Sequence, residues 1–384
     1  MKEIFYWGPF IDDKIATVKA IQNSVIGINK YSKIYKATII NSIGEWNKII
    51  NNKNKEVFLN SHLNLYEKLP KYNFIKSRFS YLIVSLICFF QLKKILLVKK
   101  PDIFIAHLLI SVPLLLFKIF KFKSKLIIRI SGKPKLNYLR KKIWQLSSKN
   151  VYKVLCPTED TKNLLISENI FTKDKIFVLR DPVIYLEKFR KYKFENYNIE
   201  NFQKNNIILV GRLTKQKNFE LIIKAIEKNE IIKQEYKVYI FGSGEEKDQL
   251  ENSIKKKKLT NIIFLMGHEK NIIKYMKKSE IFILTSLWED PGFVLIEAGM
   301  CNLSIIASDC PSGPKEIISP EEYGGLLFEN NDEISLNKKI NQYFNTNKEQ
   351  ILKKKIYFKK NIRKFTVFNH TKNLEKILEI NKEN

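Results

Sequence analysis

Two carboxylates and two cations have the types and spacing that could do chemistry in this chain. Glu289 and Glu297 stand eight residues apart, on either side of a Pro-Gly turn that opens an apolar helical stretch. Glu289 lies in the loop, where it can meet a substrate, and Glu297 falls about two turns into the helix. Arg212 and Lys217 follow Gly211, which ends a short apolar run and lets a ligand approach the backbone. Two cations near a helix start suit a pyrophosphate.

The first turn of the helix after the Pro-Gly turn is a second anion-binding feature. The backbone N–H groups of Gly292, Phe293 and Val294 have no partner within such a helix, so they can hold an anion. The alternative for Arg212 and Lys217 is an ordinary strand–helix turn with exposed basic residues. The alternative for Glu289 is a carboxylate that only caps the helix. A cap leaves the second acid, inside an apolar helix, unexplained.

Short apolar strands alternate with helical patterns along the whole chain, which predicts an α/β fold with parallel sheets. The strands predicted in the first half are Glu3–Trp7, Tyr35–Ile40, Pro101–Ala106, Leu126–Ile130 and Val151–Leu155. Those predicted in the second half are Asn206–Val210, Lys237–Phe241, Ile262–Met266, Ile281–Leu284 and Leu303–Ala307. Each strand of the second half ends in small or polar residues. Ligands of open α/β sheets bind at the carboxyl ends of the strands, so these loops are the expected site.

Length and composition predict two compact domains and a cytoplasmic protein. The chain has 384 residues, of which 45% are hydrophobic, enough for two cores. The charged and aromatic segment from Tyr185 to Lys204 is the expected linker. The start of the chain lacks the pattern of a secretory signal. The four cysteines lack metal-ligand spacing and no cluster of His, Asp and Glu suggests a metal, so we expect reduced thiols and no metal.

The net charge of +29 is concentrated in the first half of the chain. Between Lys76 and Lys153 there are eighteen Lys or Arg residues and one acid, Asp102. These bases alternate with the apolar stretches Phe79–Leu92 and Ile103–Phe117, both shorter than the roughly 20 residues that cross a bilayer. The pattern favours an anionic membrane surface over nucleic acid. A solvated basic surface and a nucleic-acid-binding protein are the alternatives, although the chain has no known nucleic-acid-binding signature.

Taken together, the motifs of the second half resemble the retaining GT-B glycosyltransferases of glycosyltransferase family 4. The resemblance covers roughly residues 206–330, and the acid pair with seven intervening residues is its most specific part. The stretch Asp309–Ile317 is similar to the branch that builds O-antigens, capsules and other lipid-linked glycans. The motifs are Gly211-Arg212 with Lys217, Phe241-Gly242-Ser243-Gly244, Glu289-x7-Glu297-Ala298 and Ile306-Ala307-Ser308-Asp309.

The resemblance implies a GT-B fold, in which two Rossmann-like domains face a central cleft. Residues 1–195 would form the N-terminal acceptor-binding domain, and residues 205–360 the C-terminal domain that binds a nucleotide-sugar. Residues 361–384 would form a C-terminal helix that returns to the N-terminal domain.

The resemblance assigns donor-binding roles to residues of the C-terminal half. Arg212 and Lys217 would hold the donor pyrophosphate, and Glu297 would bind the ribose hydroxyls. Gly242 lies in the second motif, among the donor-binding residues. His268 follows a strand in a loop that faces the same crevice, so it is a further candidate for holding the nucleotide. Core packing or plain exposure is the alternative for His268.

The reacting sugar would lie between groups of both halves. Glu289 would contact its hydroxyls, helped by the backbone of residues 292–294. His107 would sit beside the reacting sugar from the N-terminal side, and Gly8, in the first loop, would face the donor phosphates. Glu289 and His107 are therefore the catalytic candidates. The sequence departs from the family at Ser131, where many relatives have a histidine.

The resemblance implies a reaction as well as a fold. A hexose or N-acetylhexosamine would pass, with retention and without a metal or other cofactor, from a nucleotide-sugar to a polyprenyl-diphosphate-linked glycan. A UDP-sugar is the expected donor, and bacterial O-antigen or capsule synthesis the expected process. The enzyme would lie peripherally on the inner face of the cytoplasmic membrane. The alternatives are a GT-B nucleotide-sugar epimerase and, from another class, a basic nucleic-acid-binding protein.

Overall fold

The computed structural model of the protein describes residues 1–11, 16–49, 58–60, 64–70, 74–132, 134, 136–187, 189–190, 202, 205–289 and 291–380. The chain divides into two compact units. Unit 1 comprises Met1–Val183 and Val367–Asn384, and unit 2 comprises Ile184–Thr366. Most of the expected linker from Tyr185 to Lys204 lies outside the described residues.

Unit 1 is built on a seven-stranded sheet in the order β3-β2-β1-β4-β5-β6-β7, in which every pair of neighbours is parallel. Its strands are β1 Lys2–Trp7, β2 Tyr35–Asn41, β3 Phe58–Asn60, β4 Ile103–Ala106, β5 Lys125–Arg129, β6 Lys153–Cys156 and β7 Ile176–Val178. Its first five helices are α1 Ala16–Tyr31, α2 Phe74–Lys99, α3 Ser111–Ile119, α4 Tyr138–Ser147 and α5 Glu159–Ser167. The order of the strands reverses between β1 and β4, so the switch point of this sheet lies there.

Unit 2 repeats the plan with a six-stranded parallel sheet in the order β10-β9-β8-β11-β12-β13. Its strands are β8 Asn206–Val210, β9 Lys237–Phe241, β10 Ile263–Gly267, β11 Ile281–Leu284, β12 Ser304–Ser308 and β13 Leu326–Phe328. Its helices are α6 Phe219–Glu227, α7 Glu230–Glu235, α8 Lys247–Lys256, α9 Ile273–Met276, α10 Phe293–Met300, α11 Pro314–Ile318, α12 Glu321–Gly324, α13 Glu333–Phe344 and α14 Lys348–Asn361. Its switch point lies between β8 and β11.

The last helix, α15 Val367–Glu379, belongs to unit 1. It packs against α1 at Gly27, where a Cβ would come within 2.5 Å of the Val367 side chain. The imidazole of His370 is buried, and its Nδ1 donates to the carbonyl of Arg180 at 2.7 Å. Its Nε2 accepts from the hydroxyl of Ser24 at 2.7 Å. Both partners of His370 are distant in the chain, so sequence spacing alone does not indicate its burial.

The longest helix of unit 1 corrects the interpretation of the first apolar stretch. Helix α2 continues through Lys93 and Lys94, so the apolar segment does not end at Leu92. Within it, Phe79–Lys99 has 21 residues with a mean hydropathy of 2.0 and is long and apolar enough to cross a membrane. The two lysines can lie within this apolar helix because their side-chain stems are apolar. The Lys93 Nζ lies 4.0 Å from the centre of the Phe120 ring.

Candidate functional site

The loops after β8 and β9 are held together by glycine. Gly242 has φ +154°, and a Cβ there would lie 1.7 Å from the carbonyl oxygen of Gly211. The N–H of Gly211 donates to the Phe241 carbonyl at 2.9 Å. A Cβ on Gly244 would lie 2.2 Å from the carbonyl oxygen of Leu213. The two loops can therefore approach this closely only where a residue has no side chain. This explains why the second motif has glycine at positions 242 and 244.

A buried ion pair joins β8 to β11 at the switch point of unit 2. The stem of Lys217 crosses Gly211 at 3.1 Å from its Cβ position, and its Nζ contacts Oε1 of Glu289. Ser286 donates from its Oγ to the same oxygen at 2.6 Å. The two charged side chains are only 13% and 6% exposed. Both residues were predicted for the site, and the structure brings them into direct contact.

The second predicted cation, Arg212, has a different setting. Its side chain is exposed, and its guanidinium lies 3.5 Å from Oε1 of Gln216. The side-chain Nε2 of Gln216 donates to the Trp288 carbonyl at 2.9 Å. The backbone carbonyl of Gln216 accepts from the Leu287 N–H at 2.8 Å. Gln216 thus ties the loop after β8 to the loop after β11 and leaves Arg212 facing solvent beside the ion pair.

Helix α10 begins at the predicted Pro-Gly turn. Gly292 precedes it with φ +90°, and its Cβ position is 3.4 Å from the Glu289 side chain. Within the described part of the chain, the N–H groups of Gly292, Phe293 and Val294 have no recorded acceptor. Glu297 is the fifth residue of the helix, just over one turn in, because the helix starts only after Gly292. The placement two turns in is therefore wrong. Asp290 lies outside the described residues.

Two supporting contacts were missed by sequence reasoning. The N–H of Glu289 donates to the Pro311 carbonyl at 3.1 Å, which seats the Glu289 backbone on the loop after β12. Asn330 accepts from the Ser308 hydroxyl and donates to the Leu287 carbonyl, each at 3.0 Å. A polar residue two positions after β13 is the signal for Asn330, but that short strand had not been predicted.

His268 is the member of the predicted set that the structure keeps apart. It is exposed and follows β10, an edge strand of the sheet. Strand β10 is two positions from β8, or roughly 10 Å along the sheet. Throughout the described residues, no group of three His, Cys, Asp or Glu side chains could hold a metal ion.

The switch point of unit 1 holds the other two predicted residues. Gly8 follows β1 and His107 follows β4, and a Cβ on Gly8 would lie 3.2 Å from the His107 Cβ. The N–H of His107 donates to the Trp7 carbonyl at 2.8 Å, and its ring centroid is 5.6 Å from that of Tyr6. Its Nδ1 is buried and has no hydrogen-bond partner among the described residues.

The surroundings of His107 determine its charge. Burial lowers the pKa of His107 well below its ordinary value, and the charges of Arg129 and His370 lower it further. Arg129 is itself buried and forms an ion pair with Asp181 at 2.5 Å. His107 is therefore a neutral imidazole at pH 7.

Comparison with known proteins gives a family match for part of the chain and a fold for the whole of it. Residues 192–365 match the family model of the glycosyl transferases group 1. The chain is 32% identical over 254 residues to an uncharacterized glycosyltransferase of Methanocaldococcus jannaschii, covering 60% of this chain and 61% of that protein. It is 30% identical over 229 residues to the N-acetylgalactosamine-N,N'-diacetylbacillosaminyl-diphospho-undecaprenol 4-alpha-N-acetylgalactosaminyltransferase of Campylobacter jejuni, covering 58% and 61%. The chain thus spans about three fifths of the length of these relatives.

Solved structures extend the likeness of the fold to both units. A glycosyltransferase from Rickettsia africae superposes with a TM-score of 0.74 at 20% identity, over 99% of each chain. The Anabaena protein HepE in complex with UDP superposes with a TM-score of 0.71 at 13% identity, over 98% of this chain and 99% of that one. The prediction of two Rossmann-like domains with the GT-B fold is confirmed. Residues 192–365, which contain every predicted site residue of unit 2, therefore form a glycosyl transferases group 1 domain on a GT-B fold.

Proposed function

We propose that the chain is a glycosyltransferase that moves a sugar from a nucleotide-sugar, with UDP as the expected nucleotide, to a polyprenyl-diphosphate-linked glycan. The observation that carries the proposal is the buried pair of Lys217 and Glu289 beside exposed Arg212 at the switch point of unit 2. The name of the Campylobacter relative, a transferase for a diphospho-undecaprenol glycan, supports this acceptor class. The UDP in the Anabaena structure supports the nucleotide. Synthesis of a bacterial O-antigen or capsule is the process we assign.

The donor lies across the carboxyl ends of β8 and β11 in this proposal. Arg212 and Lys217 bind its pyrophosphate together with the N–H groups that open α10. Glu297 accepts from the ribose hydroxyls. Gly242 lets the phosphates approach the backbone, and His268, at the edge strand, meets the far end of the nucleotide.

Lys217 and Glu289 have different roles at the reacting bond. Lys217 neutralises the diphosphate as it departs, and preorganised charge of this kind usually lowers the activation barrier more than any other effect. Glu289 keeps Oε1 on Lys217 and Ser286 and accepts from the sugar hydroxyls through Oε2. Transfer with retention needs no metal here, because the departing phosphate takes the proton of the acceptor hydroxyl. His107, beside Gly8 in unit 1, is the second catalytic candidate and acts as a neutral imidazole.

We also propose a peripheral position on the inner face of the cytoplasmic membrane. The outer face of α2 supports it. Phe79, Leu82, Leu86 and Phe90 recur at helical spacing there and are 63–70% exposed, whereas the opposite face is buried in the core. Lys94 continues the same face, so apolar insertion would lie beside a contact to anionic headgroups.

The first experiment tests donor binding. Thermal shift with a panel of UDP-, GDP- and dTDP-sugars should show one group that raises the melting temperature of the wild type. Arg212→Ala should lose that shift while keeping the wild-type melting temperature, because its side chain is exposed. Lys215→Ala, an exposed cation of the same loop, is the matched control and should keep the shift. A full shift in Arg212→Ala would contradict the donor site.

A second experiment tests the reaction. The donor that gives the shift is incubated with and without a polyprenyl-diphosphate-linked glycan, and the products are separated by mass. A glycan one sugar larger, formed equally in EDTA, is the expected result. Conversion of the donor without an acceptor would identify an epimerase instead.

A further inference from the structure

A basic cavity opens on unit 1 at the end of the strands opposite to Gly8 and His107. Its volume is about 1010 Å³, and it lies at the amino ends of β5 and β6 and beside the start of β7. Gly8 and His107 lie at the carboxyl ends of β1 and β4. The strands have four to six residues, so their amino and carboxyl ends lie roughly 15 Å apart. The cavity is therefore separate from the switch point of unit 1.

The charge of the cavity wall is strongly one-sided. Five lysines and one carboxylate, Asp174, line it. The lysines are Lys121, Lys125, Lys149, Lys153 and Lys175. Such a concave wall of one sign concentrates anions.

Two of these lysines are already engaged, and three are available. Buried Lys153 donates to the carbonyls of Ile377 and Ile380, at the end of α15. Lys175 donates to the carbonyls of Ser148 and Lys149 at 3.1 and 3.4 Å. Within the described chain, Lys121, Lys125 and Lys149 make no recorded ion pair, and all three are exposed.

Two further observations fit an anion-binding role for this cavity. The hydroxyl of Ser124, a buried side chain of the wall, has no hydrogen-bond partner among the described residues. Burial, and then the charge of Lys125, lower the pKa of Lys153 to about 8. A bound anion would offset the repulsion between these two lysines.

Aromatic rings lie beside the cations and indicate what else the ligand carries. The Nζ of Lys125 lies 4.5 Å from the centre of the Tyr152 ring. Three phenylalanines of the wall, Phe117, Phe120 and Phe122, form a chain of ring contacts with centroid distances of 4.8 to 6.3 Å. The Nζ of Lys93, in α2, lies 4.0 Å from the centre of the Phe120 ring, so α2 contacts the wall of the cavity.

We propose that this cavity binds a phosphate ester, with the phosphate on Lys125, Lys149 and Lys121 and the organic group on the phenylalanines. The ester is either the headgroup of an anionic lipid or a soluble phosphate ester, and both present the same chemistry to the lysines. The site does not depend on the donor site of unit 2.

The test uses the double variant Lys125→Gln/Lys149→Gln in the full chain. Its matched control is Lys33→Gln/Lys142→Gln, which removes two exposed cations of unit 1 outside the cavity. Glycerol phosphate binding is measured by calorimetry, and flotation is measured with phosphatidylglycerol vesicles and with phosphatidylcholine vesicles. Circular dichroism checks that each variant is folded.

We expect the cavity variant to lose at least about ten-fold in affinity for one of the two probes, because it removes two charged hydrogen-bond donors from the wall. Weaker glycerol phosphate binding with unchanged flotation identifies a soluble ester. Weaker flotation, specific to phosphatidylglycerol, identifies a lipid headgroup. Arg212→Ala should bind both probes as the wild type does, which separates this site from the donor site. Wild-type-like behaviour of the cavity variant with both probes, or equal losses in the control, would overturn the proposal.

Discussion

Lys217 and Glu289 are bound to each other before any ligand arrives, and this governs how the site can be dissected. Taking both charges out of water is costly, and their contact, with the Ser286 bond, offsets that cost. Removing one partner leaves the other charge buried. Loss of activity in a single variant therefore mixes lost catalysis with lost stability.

A double-mutant cycle separates the two effects. We expect Lys217→Met to destabilise the protein by about 3–5 kcal/mol, because it leaves Glu289 buried without a cation. Adding Glu289→Gln should recover a large part of that loss. Urea unfolding of the wild type, both single variants and the double variant measures the coupling. The same cycle on Lys353 and Glu349, an exposed pair, should give less than about 1 kcal/mol. Additive losses at Lys217 and Glu289 would show that the pair is not coupled.

Among the elements, the strands that line the site were predictable and the three-residue edge strands were not. Strands β8, β9 and β11 have the predicted bounds, because fully buried parallel strands are continuous apolar runs between polar loops. Strands β3, β7 and β13 were missed. Each has three residues and lies at an edge of its sheet, so its pattern is too short to stand out. Contacts between loops, such as those of Gln216, depend on the fold and cannot be inferred from spacing.

Gly242 offers a prediction at the scale of the paired loops. Gly242→Ala should destabilise the protein by more than about 3 kcal/mol, because its Cβ would lie 1.7 Å from the carbonyl oxygen of Gly211 and force the loops apart. Gly267→Ala is the matched control. Gly267 also has a positive φ, +73°, but nothing lies within 4 Å of its Cβ position, so only about 1–2 kcal/mol should be lost. Thermal unfolding of both variants is the measurement, and equal losses would contradict the steric argument.

At the scale of the whole molecule, unit 1 is assembled from both ends of the chain. Helix α15 is joined to it by His370, which bonds Ser24 of α1 and the Arg180 carbonyl, and by Lys153, which bonds the end of α15. The family resemblance predicted a helix over residues 361–384, but not that a histidine on it would be buried. Burial of a neutral imidazole is a property of the completed unit, and it makes the stability of that unit depend on pH.

The pH dependence has a definite sign. Burial, with Arg129 as a further cause, lowers the pKa of His370 to about 4, and the pKa of His107 is lowered well below its ordinary value. Both are ordinarily near 6.5 in an unfolded chain, so protons bind the unfolded state more readily. Their contribution to stability is complete above about pH 6.5. It declines as the pH falls toward 4, by up to about 1.4 kcal/mol per pH unit for each histidine.

Melting temperatures from pH 7.5 to 4 measure the decline. His370→Gln should make the slope shallower, whereas His268→Gln, at an exposed position, should leave it unchanged. An unchanged slope in His370→Gln would show that the buried imidazole does not control acid stability.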